Sequence, residues 1–202
     1  MGNNKLAKNC RLLWKEKTML KLYGGSRSRA SIVQWYLEEI GVEYQFVLLD
    51  MANGEHLKPD YLKINPMGKV PAIVDGDFIL WESGAILLYL AEKYGKEVNG
   101  LEQRSILNQW ILFANSTLAT GLFLEANRER EIPRLLPPLE KIFAEKPFLL
   151  GDKLTVADIA VGSMLAYSRI LAKMDFSSYP AVEEYVNRLS QRPAFQKTIG
   201  NR

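Results

Sequence analysis

The chain has one cysteine and one histidine among its 202 residues. Cys10 alone excludes an intramolecular disulfide framework, a C-x-x-C redox pair and a clustered-cysteine zinc site. With His56 the only imidazole, no His-rich metal site can be assembled either, and no metal is expected. No apolar run approaches the roughly 20 residues that a membrane-spanning helix needs, so no membrane partner is expected. A strong charge of one sign is also missing. The 26 basic and 23 acidic residues nearly balance at +3, and no basic stripe interleaves with aromatics, which argues against nucleic acid as a partner. The opening MGNNKLAKNCRLLWKEKT is basic and nearly free of acids, but its apolar patch spans only residues 12–14, too short for a signal peptide. It reads as a leader: a disordered arm, a weak targeting segment or an upstream start choice. A cytoplasmic location is expected. The remainder, 48% hydrophobic and 24% charged, suits a globular protein with one or two cores.

Residues 20–23 form a short apolar run ended by Gly24-Gly25, and Ser28 can cap a helix running to about Ile40, with Gly41 as its stop. Residues 44–49 predict a second strand, and the polar stretch containing Gly54 and Pro59 leaves room for one irregular helix at 59–63. Apolar residues 72–74 and 78–81 flank Asp75-Gly76, a dipeptide that tolerates positive φ and favours a tight antiparallel hairpin. Ser83 then caps a helix whose Ile86, Leu87 and Leu90 recur at three- and four-residue spacing. This order predicts a four-stranded mixed sheet with helices on its faces, parallel where a helix intervenes and antiparallel in the hairpin.

Beyond residues 95–100 the pattern is helical, with candidates at 102–127, 134–145, 155–172 and 179–190. Pro133, Pro137 and Pro138 should break or shorten the second of these. Thr155 and Asp158 have the spacing of a capping box, with Leu154 and Ile159 placed as its staple. The predicted segments are a leader at 1–18, an α/β unit at 19–96 and an all-α unit at 101–202.

The stretch 65–94 reads as a ligand cradle. Pro71 donates no ladder bond, so it marks a sheet edge and is a candidate cis peptide. The Val70 backbone is then left to pair with something extended. The first-turn N–H groups of the helix that starts at Ser83 face the hairpin end, where an anion fits.

Three motifs, NPMGKVP at 65–71, DG through WES at 75–83, and LLGDKLTVAD at 149–158, together resemble the cytosolic glutathione transferases, and the resemblance runs from Met19 to the C-terminus. Within that family LYGGSRSRASIVQWYLEEIG is most similar to the bacterial chi class. The resemblance implies an α/β thioredoxin-like N-terminal domain that binds glutathione, plus an all-α C-terminal helical domain that helps bind an electrophile, usually in a homodimer. It implies that Val70 pairs its backbone with the cysteinyl unit of glutathione like an added strand. Ser83 and its helix N-terminus would take the γ-glutamyl carboxylate, and Glu82 the ammonium. His56 and Lys69 would meet the glycyl end, with Lys58 a third cation near it. The implied activity is conjugation to small hydrophobic electrophiles such as aryl halides or isothiocyanates, in detoxification or stress response, with peroxidase activity toward organic hydroperoxides as a side reaction. The same architecture also serves as a non-catalytic binding or docking module.

Transfer needs the thiolate, and a free thiol has a pKa near about 8.5. Lowering it by roughly two units corresponds to about 2.7 kcal/mol of thiolate stabilisation, within reach of a charge-assisted hydroxyl bond plus local positive potential. Counting from the first strand, the family's serine donor falls on Ser28, which reads equally as an N-cap; Ser26 is two residues away. Tyr23 stands where tyrosine-type members have their donor. Arg29 stands where cysteine-type members have their thiol, which disfavours a mixed-disulfide mechanism. The electrophile pocket is expected near Trp110, Phe113, Ala114 and Thr117, residues that read equally as helix core.

Overall fold

The computed structural model describes residues 19–200; the leader at 1–18, Cys10 included, lies outside them. Strand β1 (Leu20–Gly24) buries Leu20 and Leu22 on one face and turns Tyr23 to the other, the two-residue alternation of a strand covered on both sides. Helix α1 (Ala30–Glu39) follows, and its chain reverses at Gly41 with φ +65°, matching the predicted stop. Strand β2 (Tyr44–Leu48) lies parallel to β1. A single 3₁₀ turn (Glu55–Leu57) and the four-residue α2 (Pro59–Leu62) lead to the hairpin β3 (Ala72–Asp75) and β4 (Phe78–Trp81), and then to α3 (Ser83–Lys93). The sheet order is β2-β1-β3-β4. This is the expected thioredoxin-like α/β domain.

Two details differ from the sequence reading. Asp75 closes β3 by pairing with Phe78, so the tight turn is Gly76-Asp77, one residue later than predicted. Strand β3 is antiparallel to β1 although helical segments precede it. The connection from β2 holds only short helical turns, so the chain re-enters the sheet at the end it left instead of crossing back.

The rest is the all-α domain. Its first predicted helix is divided into α4 (Leu101–Leu112), a π-helical turn (Phe113–Leu118) and α5 (Ala119–Phe123), with the chain extended at Leu124. The prolines do not break the next helix: α6 runs unbroken over Glu125–Glu145. Pro133, Pro137 and Pro138 all lie on its exposed side, where water can take up the carbonyls left without donors, while Leu136, Leu139 and Phe143 bury the opposite face. Helices α7 (Val156–Leu171) and α8 (Pro180–Ser190) lie close to their predicted bounds, and a short α9 (Pro193–Thr198) is added. Helix α9 docks on α1 through a bidentate Arg192–Glu39 pair, 2.7 Å in each arm, and Phe195 set edge-on to Trp35 at 5.1 Å.

One apolar core runs from the sheet through α1 and α3 into the helical domain. A smaller one on the other sheet face gathers Leu49, Tyr61 and Ala72 with Tyr23, Met51, Ile64, Val70 and Trp81. Between the halves, Glu97 accepts the Tyr36 phenol at 2.7 Å and the Val156 N–H at 2.8 Å, tying α1 to the start of α7. Burial raises the Glu97 carboxyl above its ordinary 4.5, Asp158 adds to the rise, and the two hydrogen bonds oppose it. The folded chain therefore holds this proton more tightly than the unfolded one. That contribution is complete below the unfolded value and is lost as pH rises through the folded one. In denaturant titrations, the stability advantage of wild type over Glu97→Gln should be largest in acid and shrink as pH rises above 4.5; an advantage that grows with pH would contradict this.

Candidate functional site

The strand register gathers the predicted site residues at one end of the sheet. Tyr23 pairs with Ala72, and Ala72 with Trp81. One step outward along each strand lie Gly24 with its loop, Pro71, and Glu82. The Val70–Pro71 peptide is cis, and Val70 precedes the strand, so its N–H and C=O take no part in the ladder.

The loop into α1 is ordered by Ser28. Its Oγ accepts the N–H of Gly25 at 3.1 Å and of Ala30 at 3.3 Å, and donates to the Gly25 carbonyl at 3.1 Å. Arg29, not Ser28, is the residue flanking the helix, one position later than predicted. Tyr23 packs at a tilt on Tyr61, with ring centroids 5.8 Å apart.

Two residues given no role by the sequence build the cradle's edge. Asn65, only 1% exposed, donates through Nδ2 to the Lys69 carbonyl at 2.7 Å and accepts the Met67 N–H at 3.0 Å. The Tyr61 phenol donates to the same carbonyl at 2.6 Å; burial pushes its pKa up to about 12, which keeps it protonated as a donor. The Lys69 side chain is left exposed. Gly68, at φ +58°, packs its backbone so closely on the 3₁₀ turn that a Cβ there would lie 2.8 Å from Leu57 and 3.3 Å from the His56 carbonyl. The turn that carries His56 is thereby packed against the loop that carries Lys69, while Lys58 is exposed. His56 Nδ1 is buried without a hydrogen-bond partner among the described residues, a polar atom that a ligand can satisfy. The asparagine lies inside the quoted NPMGKVP run, but only the folded loop reveals its burial.

The opposite wall is the β4–α3 junction. Ser83 is the first helical residue, and Glu82, not Ser83, occupies the cap position. Glu82 has φ 75° and ψ 116°, a conformation costing of order 1–3 kcal/mol for a side-chain-bearing residue, of the kind that clusters at ligand clamps. Ser83 is 4% exposed, and no hydrogen bond reaches its hydroxyl among the described residues. Ile86 N–H already bonds to Glu82, so the free N–H groups of the first turn are those of residues 83–85. Together these groups present donors of the kind that suit an anion, beside the Glu82 carboxylate.

Residues 18–92 match the glutathione S-transferase N-terminal domain, and residues 112–200 match the corresponding C-terminal domain. A glutathione transferase of Phanerochaete chrysosporium, URE2P6, solved in complex with oxidized glutathione, is 30% identical, with 91% of this chain and 96% of that one aligned at a TM-score of 0.76. The chain belongs to the glutathione S-transferase family. A Burkholderia graminis glutathione transferase, solved with two glutathione molecules per subunit, is 27% identical over 89% of this chain and 86% of its own, with a TM-score of 0.74. Glutathione transferase F7 of Populus trichocarpa is 25% identical over 90% of this chain and 98% of its own, with a TM-score of 0.76.

Of the residues expected around the transferase's electrophile pocket, Trp110 and Phe113 are half-buried and set edge-to-face at 5.7 Å, and Thr117 is exposed. Ala114 is 0% exposed and belongs to the core, so it lines no pocket. The π turn instead brings Asn115 to α3, where a Cβ on Gly84 would lie 2.7 Å from its Nδ2. Among the described residues no group of three or more His, Cys, Asp or Glu side chains could hold a metal, and no helix is long and apolar enough to cross a membrane.

Proposed function

We propose that this transferase activates glutathione and joins its sulfur to small hydrophobic electrophiles such as aryl halides and isothiocyanates. Peroxidase activity toward organic hydroperoxides would be a side reaction that uses the same thiolate. The observation that carries this reading is the convergence at one sheet end of a Val70 backbone outside the ladder and, on a helix N-terminus, a Ser83 hydroxyl without a hydrogen-bond partner among the described residues. In this reading Val70 pairs with the cysteinyl unit, Glu82 and Ser83 hold the γ-glutamyl end, and His56 and Lys69 meet the glycyl carboxylate. The assignment to a chi-like, cytoplasmic, homodimeric detoxification enzyme, divided at residues 95–100, rests on the opening LYGGSRSRASIVQWYLEEIG and the family's habits.

Ser28 is the proposed thiol activator. Its oxygen accepts two backbone N–H groups, which polarises the O–H, and a thiolate is a stronger acceptor than the Gly25 carbonyl to which that hydrogen now points. The existing bond to Gly25 also favours a second reading, a non-catalytic glutathione-binding module in which Ser28 only orders its loop.

The pH dependence of conjugation to an aryl halide and an isothiocyanate separates the two. Ser28→Ala should raise the apparent thiol pKa by about one unit, a tenfold loss below that pKa. Unchanged turnover moves the donor role to Tyr23, tested by Tyr23→Phe, and tight glutathione binding without turnover supports the module.

A further inference from the structure

Ser28 is held from both of its oxygens. Its hydroxyl is fixed within the loop, and its carbonyl receives Ser31 twice, from the N–H at 3.3 Å and from Oγ at 3.1 Å. Ser31, 3% exposed, in turn shares a hydrogen bond with the phenol of Tyr167, which is 6% exposed on α7 of the other domain. Because the Ser31 hydrogen is directed at Ser28, the phenol is the donor. A chain of bonds thus runs from the helical domain into the backbone of the residue proposed to meet the sulfur. The helices α1 and α7 run in opposite senses along this interface: the Tyr36 end of α1 is tied through Glu97 to Val156, and the Ser31 end to Tyr167. The second tie lands on the site loop.

We infer that Tyr167 is a positioning residue for thiol activation, its phenol acting through Ser31 to fix the loop that presents Ser28 to the glutathione sulfur. This rests on the transferase reading above. Burying a phenol at 6% exposure calls for a partner, and Ser31 carries the contact on to the loop itself. Small displacements of an activating group matter, since a shift of about 1 Å can cost on the order of a hundredfold in rate.

The test compares Tyr167→Phe, which keeps the ring, with Ser31→Ala, which removes the same bond from the other side together with the Ser31 Oγ bond to the Ser28 carbonyl, alongside Ser28→Ala and the double variant Tyr167→Phe/Ser31→Ala. The readouts are the pH profile of kcat/KM with an aryl halide, the ultraviolet absorbance of bound thiolate, KM for glutathione, and Tm. Each single variant should lower kcat by roughly five- to tenfold and raise the apparent thiol pKa, with KM for glutathione within about twofold. The double variant should be no worse than Ser31→Ala alone, because that substitution already removes the bond to Tyr167 along with the Ser31 Oγ bond to the Ser28 carbonyl. A lower Tm with kcat and pH profile unchanged, while Ser28→Ala shifts the profile, overturns the inference and leaves the transferase reading intact. If Ser28→Ala has no effect but both Tyr167→Phe and Ser31→Ala do, the positioning role stands and another group of the loop is the donor. A wild-type protein without turnover overturns the transferase reading and this inference with it.

Discussion

Asp158→Ala should lower folding stability by about 3–5 kcal/mol, through orphaned donors and a broken buried network. Asp158 is 0% exposed. Its Oδ1 accepts the Leu149 N–H at 2.9 Å and the Tyr185 phenol at 3.1 Å, and its Oδ2 accepts the Thr155 N–H at 2.9 Å and the Thr155 hydroxyl at 3.0 Å. Alanine leaves the two backbone donors, Leu149 and Thr155 N–H, with nowhere to turn, and leaves the Tyr185 phenol only a long 3.4 Å contact to the Asp158 carbonyl; the half-buried threonine hydroxyl can rotate toward water. Each orphaned donor costs about 1–3 kcal/mol, and relief of carboxylate burial returns part of the total. That burial is the largest influence on Asp158 and raises its pKa, with the four hydrogen bonds opposing it. Tyr185, stacked on Phe143 at 3.7 Å, would lose the shorter of its two ties to α7 as well. For a chain of this size the loss corresponds to a fall in Tm of roughly 10 °C. Asp158→Asn should recover little, because its NH₂ must face either the Thr155 or the Leu149 and Tyr185 donors. A loss below about 1 kcal/mol by denaturant titration would show that the box does not hold α7 in place.

This box was legible in the sequence because its partners are three residues apart, and the same locality explains what else could be read. Gly41, the Ile86-Leu87-Leu90 stripe and the Asp75-Gly76 hairpin each signal through neighbours, and each element formed within a residue or so of its predicted place. The motifs that hold the candidate site residues come together for a related reason: the register carries Tyr23, Ala72 and Trp81 into one row, so motifs distant in sequence meet once the sheet order is known.

What was not legible depends on which face a residue takes in the folded chain. Pro133, Pro137 and Pro138 are helix breakers by local chemistry, yet they share the solvent side of a helix whose other side is held by Leu136, Leu139 and Phe143. Packing energy outweighs the missing hydrogen bonds there. The Tyr167–Ser31 tie joins residues 136 apart and leaves no trace in periodicity or spacing. The cap at α3 was misplaced by one because Glu82 adopts a positive φ, which no propensity argument assigns to glutamate.

That positive φ sets up the second large effect. Ser83→Ala should weaken glutathione binding by about 1.5–3 kcal/mol, roughly ten- to a hundredfold in Kd, while leaving Tm unchanged. The split follows from the free protein, in which the Ser83 hydroxyl has no hydrogen-bond partner among the described residues and so contributes nothing measurable to folding. Its value is realised only when a carboxylate arrives, although the N–H groups of α3 still hold that anion and keep the loss partial. Glu82 is exposed, so its pairing with an ammonium is screened, and Glu82→Gln should weaken binding less, by about 1 kcal/mol. Glu82→Gly separates strain from charge: it should raise Tm by removing an unfavourable conformation and still lose the ammonium contact. Calorimetric titration with glutathione decides the matter. Unchanged affinity in Ser83→Ala would move the γ-glutamyl end away from α3, and a lower Tm in Glu82→Gly would mean that the Glu82 side chain supports the fold and not the ligand.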